Sequence, residues 1–386
     1  MTRLRGITWM HSRGNIPVMA TAQRYMETHS DVSIAWESRS LQEFGDFPID
    51  QLAKEYDLII LDHPWMGFAD HTGALFPLEE YLDRAYLDDQ KKNSVGRSFQ
   101  SYCYNGHQYA LAIDAACPVA FYSPDKLKRF DTSLPFSWEE VMSLARRGGV
   151  ISAGNATSLL MQFYMFCATI TDQLFTDDEI ADRSTMQEAL ENIQALFQLL
   201  PNQVFSYNPI AVYEILASSE GAAAYCPCDF GYSNYSRLGY ADTLVLATNV
   251  TYYQQKMLKT TLGGAGIAIS SKCRCLDQAL DYVQYTCSDA VQCGIYAQNG
   301  GQPGYRAAWM DEKTNNITNN FFSNTLQTID NAFLRPRYCG YLEFQETAGA
   351  YIRDWMTAGG SVHDLMDKLT KLYHCSLMRC KNDGKK

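Results

Sequence analysis

Apolar and polar positions in the first third of the chain switch between two periods. Residues 4–9 (LRGITW) predict a strand. Residues 17–28 place Val18, Ala22, Tyr25 and Met26 at helical spacing, with Pro17 expected in the first turn, where its missing N–H costs nothing. Residues 32–36 predict a second strand, 48–56 a short helix and 57–62 (DLIILD) a third strand. The run at 58–61 is continuously apolar, as in a parallel strand buried on both faces. This β-α-β-α-β order implies an α/β fold with a doubly wound sheet and right-handed crossovers.

The pattern then changes. Residues 110–122 (ALAIDAACPVAFY) are too many for one ordinary strand and are broken by Asp114 and Pro118, so they predict a passage from one sheet to another. Ser137 and Glu140 form a capping box at the start of a helix, and helical patterns follow at 159–170, 186–200 and 211–218. Glycines at 263–266 feed a short strand at 267–269, then two helical patterns within 279–298, then a Gly-Gly-Gln-Pro-Gly turn at 300–304. A helix at 342–357 stops at Gly359-Gly360. Ser361 caps a last one, with Val362, Leu365, Met366, Leu369, Leu372 and Tyr373 on one face. No repeat or low-complexity linker intervenes, so two domains are expected to be joined by several chain crossings rather than by a tether.

A length of 386 residues fits two domains. The net charge of −11 argues against nucleic acid, which requires a basic face. The one basic run, 381–386, reads as a solvated end. No apolar run approaches the roughly 20 residues of a membrane span. The N-terminus enters a strand pattern directly, with no leader pattern before it. Twelve scattered cysteines are expected as reduced thiols, and Cys226-x-Cys228 and Cys273-x-Cys275 are spaced too tightly for a zinc knuckle. No metal and no cofactor are expected.

Ligands of an open doubly wound sheet bind outside the carboxyl ends of its strands. After the first strand come Trp9, His11 and Arg13, and after the third come Asp62, His63 and Trp65. An aromatic plate beside charged and hydrogen-bonding groups, occurring twice at equivalent positions, favours a polar-ligand site over packing beneath loops. Arg39 follows the second strand, as an anion clamp or a solvated charge. Asp114, a carboxylate inside an apolar run, requires a partner or a ligand hydroxyl. Residues 225–235 form an aromatic-polar loop with Tyr225, Tyr232 and Asn234, balanced between ligand contact and a packed turn. Arg335 and Tyr338 flank a Pro-Arg pair that lines a cleft or bridges domains by ion pairs. Asp62, His63 and Asp114 also offer acid-base groups for an enzyme. No G-x-S-x-G or H-E-x-x-H is present, and the glycines at 263–266 lack the Lys-Ser/Thr of a phosphate loop and precede a strand.

Four stretches, LRGITWMHSRG, YDLIILDHPW, YALAIDAACPVAFY, and LGGAGIAIS through GGQPGYRAAW, occur in an order that resembles the extracellular solute-binding proteins of the carbohydrate-uptake (family 1) type, the binding components of ABC transporters. The resemblance implies a two-lobed periplasmic-binding-protein-like fold of type II. Lobe one would be 1–112 and 262–305, and lobe two 116–260 and 306–386, with hinge crossings near 110–122, 260–270 and 303–309. It also implies a small polar solute, sugar-like or acidic, held between lobes that close on it. The ligand would be met by Trp9, His11, Arg13, Asp62, His63, Trp65, Asp114, Tyr225, Tyr232, Asn234, Arg335 and Tyr338, with Gly301 and Gln302 turned toward it. The implied protein is a monomeric, non-enzymatic, periplasmic partner of an ABC permease. The alternatives are a cytoplasmic ligand sensor on the same fold and, behind it, the enzyme.

Overall fold

A computed structural model describes residues 1–383. The last three residues of the basic run, 384–386, lie outside the described residues. The chain runs through β1 (Thr2–Trp9), α1 (Ser12–Thr28), β2 (Val32–Arg39), β3 (Leu58–Leu61), β4 (Leu111–Ala116), β5 (Pro118–Tyr122), α2 (Trp138–Arg146), α3 (Ala156–Ile170), α4 (Arg183–Phe197), β6 (Tyr225–Phe230), β7 (Leu246–Thr248), β8 (Gly263–Ile269), α5 (Leu276–Thr286), α6 (Tyr341–Ala358) and α7 (Val362–Asp383), with shorter pieces between. It divides into two compact units: 1–116, 262–317 and 337–339 in the first, and 117–261, 318–336 and 340–386 in the second.

The first unit is built on a five-stranded sheet of order β2-β1-β3-β8-β4. The β1 strand pairs in parallel with β2 and β3, as a doubly wound start requires, whereas β8 runs antiparallel between β3 and β4. The sheet is therefore mixed. All four residues of β3 are fully buried, which accounts for its unbroken apolar run. Leu4, Val18, Tyr25, Ile60, Leu111, Ile267 and Tyr282 meet in one core, so α1 and α5 lay apolar stripes on the sheet.

Two local expectations shift. Helix α1 begins at Ser12, five residues before Pro17, because the His11 side chain caps it by accepting from the Arg13 N–H. Pro17 thus lies inside the helix. The strand expected at 267–269 starts at Gly263, and the glycines are strand residues. Gly264 has φ +108°, and a Cβ there would lie 2.4 Å from the Asp114 carbonyl oxygen. Only glycine permits β8 to approach the irregular stretch of β4 this closely.

The Gly-Gly-Gln-Pro-Gly turn lies along β4 instead of leaving the unit. Ala115 N donates to the Gln302 carbonyl at 2.8 Å, and Gly304 N donates to Gln292 Oε1 at 2.9 Å. Residues 306–317 stay with the first unit rather than joining the second, because Trp309 Nε1 donates to the Pro303 carbonyl (2.7 Å) and Asn315 Nδ2 to the Trp309 carbonyl (2.9 Å).

The second unit carries a three-stranded antiparallel sheet of order β6-β5-β7. The long stretch 110–122 therefore does serve two sheets, and the chain changes unit between Ala116 and Cys117. Helix α3 is buried continuously from Ser158 to Thr169, as its apolar circumference requires. Helix α6 crosses it at Gly349, where a Cβ would lie 2.6 Å from the Ala156 carbonyl oxygen. Helix α2 opens with the expected capping box of Ser137 and Glu140. Among the described residues ten cysteines are free thiols, while Cys339 is disulfide-bonded, an exception to the reduced state expected from sequence. No described helix is long and apolar enough to cross a membrane.

Candidate functional site

In the first unit the loops after β1 and β3 and the middle of β4 converge. Arg13 in the first turn of α1 meets Asp114 on β4: Nε donates to Oδ2 at 2.9 Å and Nη2 to Oδ1. Both side chains are buried, with Asp114 only 1% exposed. Burial pushes the Asp114 carboxyl up, and Arg13 and the Gln302 backbone N–H oppose that shift. Asp114 therefore has the partner that its apolar setting demands, and that partner is protein. His11 is half-buried above the pair, with Nδ1 engaged by the Arg13 N–H at 3.0 Å. Burial, helped by Arg13, pushes its imidazole down to about 4, so the ring is neutral at physiological pH. Gln302 is buried beside them, its Nε2 donating to the Ala115 carbonyl at 3.2 Å, and Gly301 is pressed against Tyr296, 2.2 Å from where a Cβ would stand.

Asp62 caps the short turn 63–65, accepting from the His63 N–H at 2.8 Å, and His63 Nδ1 lies 3.0 Å from the same oxygen. The His63 ring is fully buried, edge-on to Tyr102. Trp65 follows, buried with its edge toward Phe68, and its indole N–H has no hydrogen-bond partner. The acid-base grouping of Asp62, His63 and Asp114 is thus divided: Asp62 and His63 engage each other, and Asp114 is held by Arg13.

Several expected ligand residues make contacts within their own unit. Trp9 is a core residue rather than an open plate, 4.9 Å from Phe44 and close enough to Gly14 to exclude any side chain there. Arg39 ends β2 instead of following it. Its buried guanidinium donates Nη2 to the Ile60 carbonyl at 3.0 Å and lies over Phe44, and burial pushes it down to about 10. In the second unit Tyr225 is a buried strand residue paired with Tyr122, because 225–230 is β6 and not a loop. Tyr232 stands edge-on to Tyr213, and its N–H donates to the Tyr213 hydroxyl at 3.1 Å, while Asn234 is buried in the turn that follows. Arg335 donates to Gln345 Oε1 at 3.0 Å within the second unit. Arg337 donates to the carbonyls of Gln100, Ser101 and Cys103, and Tyr338 beside it is half-buried in the first unit. Within their own units, Arg335 thus bonds a glutamine and Arg337 bonds backbone carbonyls.

The second unit holds a pocket that sequence reasoning missed. Its walls are Pro118, Met161, Met165 and Phe230, and its polar groups are Ser158, Gln162, Cys228 and Asp229. One extra residue in β6 between Asp229 and Cys226, opposite Val119 to Phe121 on β5, makes a bulge that turns the consecutive residues Cys228, Asp229 and Phe230 onto the pocket. Pro227, which has no N–H, is tolerated there because β6 is an edge strand. Asp229 Oδ2 accepts from the Ala153 N–H (2.8 Å), the Cys226 thiol (3.2 Å) and the Ser152 hydroxyl (3.3 Å). Burial without a cationic partner pushes this carboxyl up to about 7. The available signal was the one that singled out Asp114, a carboxylate in an apolar run.

Outside both groups, Glu79, Glu80 and His107 bring their ligand atoms within 4.8 Å of one another, with His107 Nδ1 engaged by Glu79 at 2.5 Å.

Residues 14–292 match the family model described as bacterial extracellular solute-binding protein, and the chain belongs to that family of solute-binding proteins. The maltose-bound MalE3 of T. maritima is similar at a TM-score of 0.82 and 17% identity, over 97% of this chain and 99% of that one. A ribitol complex of an ABC-transporter solute-binding protein from Agrobacterium radiobacter K84 is similar at 0.78 and 18%, over 97% and 98%. One from Thermotoga lettingae TMO bound with α-D-tagatose is similar at 0.82 and 16%, over 98% and 100%. At such identities the likeness is one of fold, the two-lobed α/β fold of periplasmic binding proteins.

Proposed function

We propose that this protein binds a small polyhydroxylated solute, sugar- or polyol-like and not anionic, leaves it chemically unchanged, and delivers it as a monomer to the permease of an ABC transporter. Family membership supports solute binding, and the ribitol, tagatose and maltose carried by proteins of the same fold support the solute class. The observation that bears most on the charge of the solute is the state of the cations. Arg13 is neutralised by Asp114, His11 is uncharged at neutral pH, and the pocket of the second unit has a carboxylate and no basic residue in its lining. An anion would meet no uncommitted positive charge at either place and would lose its hydration without return. The acidic-solute reading relied on Arg13 or Arg335 as the clamp; on this view Arg13 is neutralised by Asp114, and Arg335 donates to Gln345.

Thermal melts against sugars, polyols and dicarboxylates test the reading. A solute at a hundredfold excess over Kd stabilises the folded form by about 2.7 kcal/mol. Stabilisation by a polyol or sugar and none by dicarboxylates is the expected result. Stabilisation by a dicarboxylate alone overturns the reading, and conversion of the bound solute, followed by mass spectrometry over hours, overturns its non-enzymatic part.

A further inference from the structure

The pocket beside β6 differs from a general polar site in the balance of its hydrogen-bonding groups. Asp229 Oδ2 takes three protein donors, whereas no described residue donates to Oδ1. Gln162, also in the lining and buried, donates Nε2 to the Ser152 hydroxyl and the Ala153 carbonyl, each at 3.2 Å, and its Oε1 has no partner. The amide cannot be turned over, because the Ala153 carbonyl only accepts and would then face another oxygen. The pocket is thus lined by two residues with unused acceptor capacity, Asp229 at Oδ1 and Gln162 at Oε1, together with Ser158. The remaining walls are Pro118, two methionines, Cys228 and Phe230, with no lysine, arginine or histidine among them. A buried carboxylate without a counter-cation is costly, and so is a buried acceptor left unpaired.

The group that satisfies such a set is a primary ammonium. It has three N–H donors and no acceptor, and it carries the charge that Asp229 lacks. A hydroxyl supplies one donor and leaves the second acceptor and the charge unmet. Resting on the solute class proposed above, we infer that this pocket takes a protonated amino group, so that the solute is an amino sugar or amino polyol in preference to its all-hydroxyl counterpart. Asp229 is the residue that sets this preference, and Gln162 fixes the direction of the second N–H.

The test uses matched pairs on the full chain: glucosamine against glucose, and 1-amino-1-deoxysorbitol against sorbitol, by titration calorimetry at pH 7. The expected result is tighter binding of the amine by about tenfold or more, the worth of one charge-assisted hydrogen bond. Because burial pushes Asp229 up to about 7, part of the population is protonated before binding. Amine binding should therefore release protons, seen as a heat that scales with the ionisation enthalpy of the buffer, and polyol binding should not. Asp229→Asn should bring the amine-to-hydroxyl ratio toward one. The proton-release readout needs no variant, so it stands if Asp229→Asn fails to fold. Equal or tighter binding of the hydroxyl partner, or amine binding without proton release, overturns this inference and leaves the polyol reading intact. Binding by neither series overturns this inference, and the melts against the wider panel of sugars and polyols decide the polyol reading separately.

Discussion

Replacing Arg13 by Met keeps the length of the side chain and removes its charge, leaving Asp114 buried in the first unit without a cation. The structure sets the size of the effect. Two parallel contacts join the groups, and the two side chains are 6% and 0% exposed. Removing one partner of such a pair costs about 3–5 kcal/mol, because the survivor is an uncompensated buried charge. At about 2–4 °C per kcal/mol, the melting temperature should fall by roughly 6–20 °C at pH 8. The sign of the pH dependence follows from the carboxyl. Burial already raises Asp114, Arg13 opposes that rise, and without Arg13 the folded-state value climbs further above the unfolded one. Stability from a raised carboxyl is present at low pH and lost as pH increases, so the variant should suffer less at pH 5 than at pH 8. Adding Asp114→Asn should recover much of the loss, since the neutral amide needs no cation. Thermal melts of the wild type, both single variants and the double variant at the two pH values supply the cycle. An Arg13→Met protein that melts with the wild type at pH 8, or a double variant that loses the sum of the single losses, would refute the account of a mutually compensating pair.

Three further outcomes follow from other parts of the fold. Burial raises Asp229 from an ordinary 3.8 to about 7, so wild-type stability falls as pH rises across that window. Asp229→Asn should gain on the wild type by up to about 4 kcal/mol between pH 4 and pH 8, and equal urea midpoint differences at the two ends would contradict this. Gly304→Ala places a Cβ 2.1 Å from the Ala112 carbonyl oxygen and should cost about 1–3 kcal/mol in denaturant unfolding, whereas an unchanged midpoint would show that the turn does not lie on β4 as described. Ser137→Ala removes the cap of α2, whose oxygen accepts from the Glu140 N–H at 3.3 Å, and should cost about 1 kcal/mol; circular-dichroism melts that superimpose on the wild type would remove the cap from the account.

The sequence by itself determined what depends on neighbours along the chain. The strand-helix alternation of residues 2–61, the capping box at Ser137, the stop at Gly359-Gly360 and the double service of 110–122 are set by local period, propensity and capping. The order of the elements likewise made the solute-binding family legible. Which groups remain free for a ligand was decided only by tertiary structure, because a side chain's availability depends on partners remote in sequence. Arg13 reads as a clamp until Asp114, 101 residues away, takes its guanidinium, and Trp9 reads as a plate until Phe44 and Gly14 enclose it. Asp229 lay inside a segment read as a tyrosine-rich loop. A one-residue bulge on an edge strand, set by pairing with β5 and invisible to any local pattern, turns it onto the pocket with Gln162.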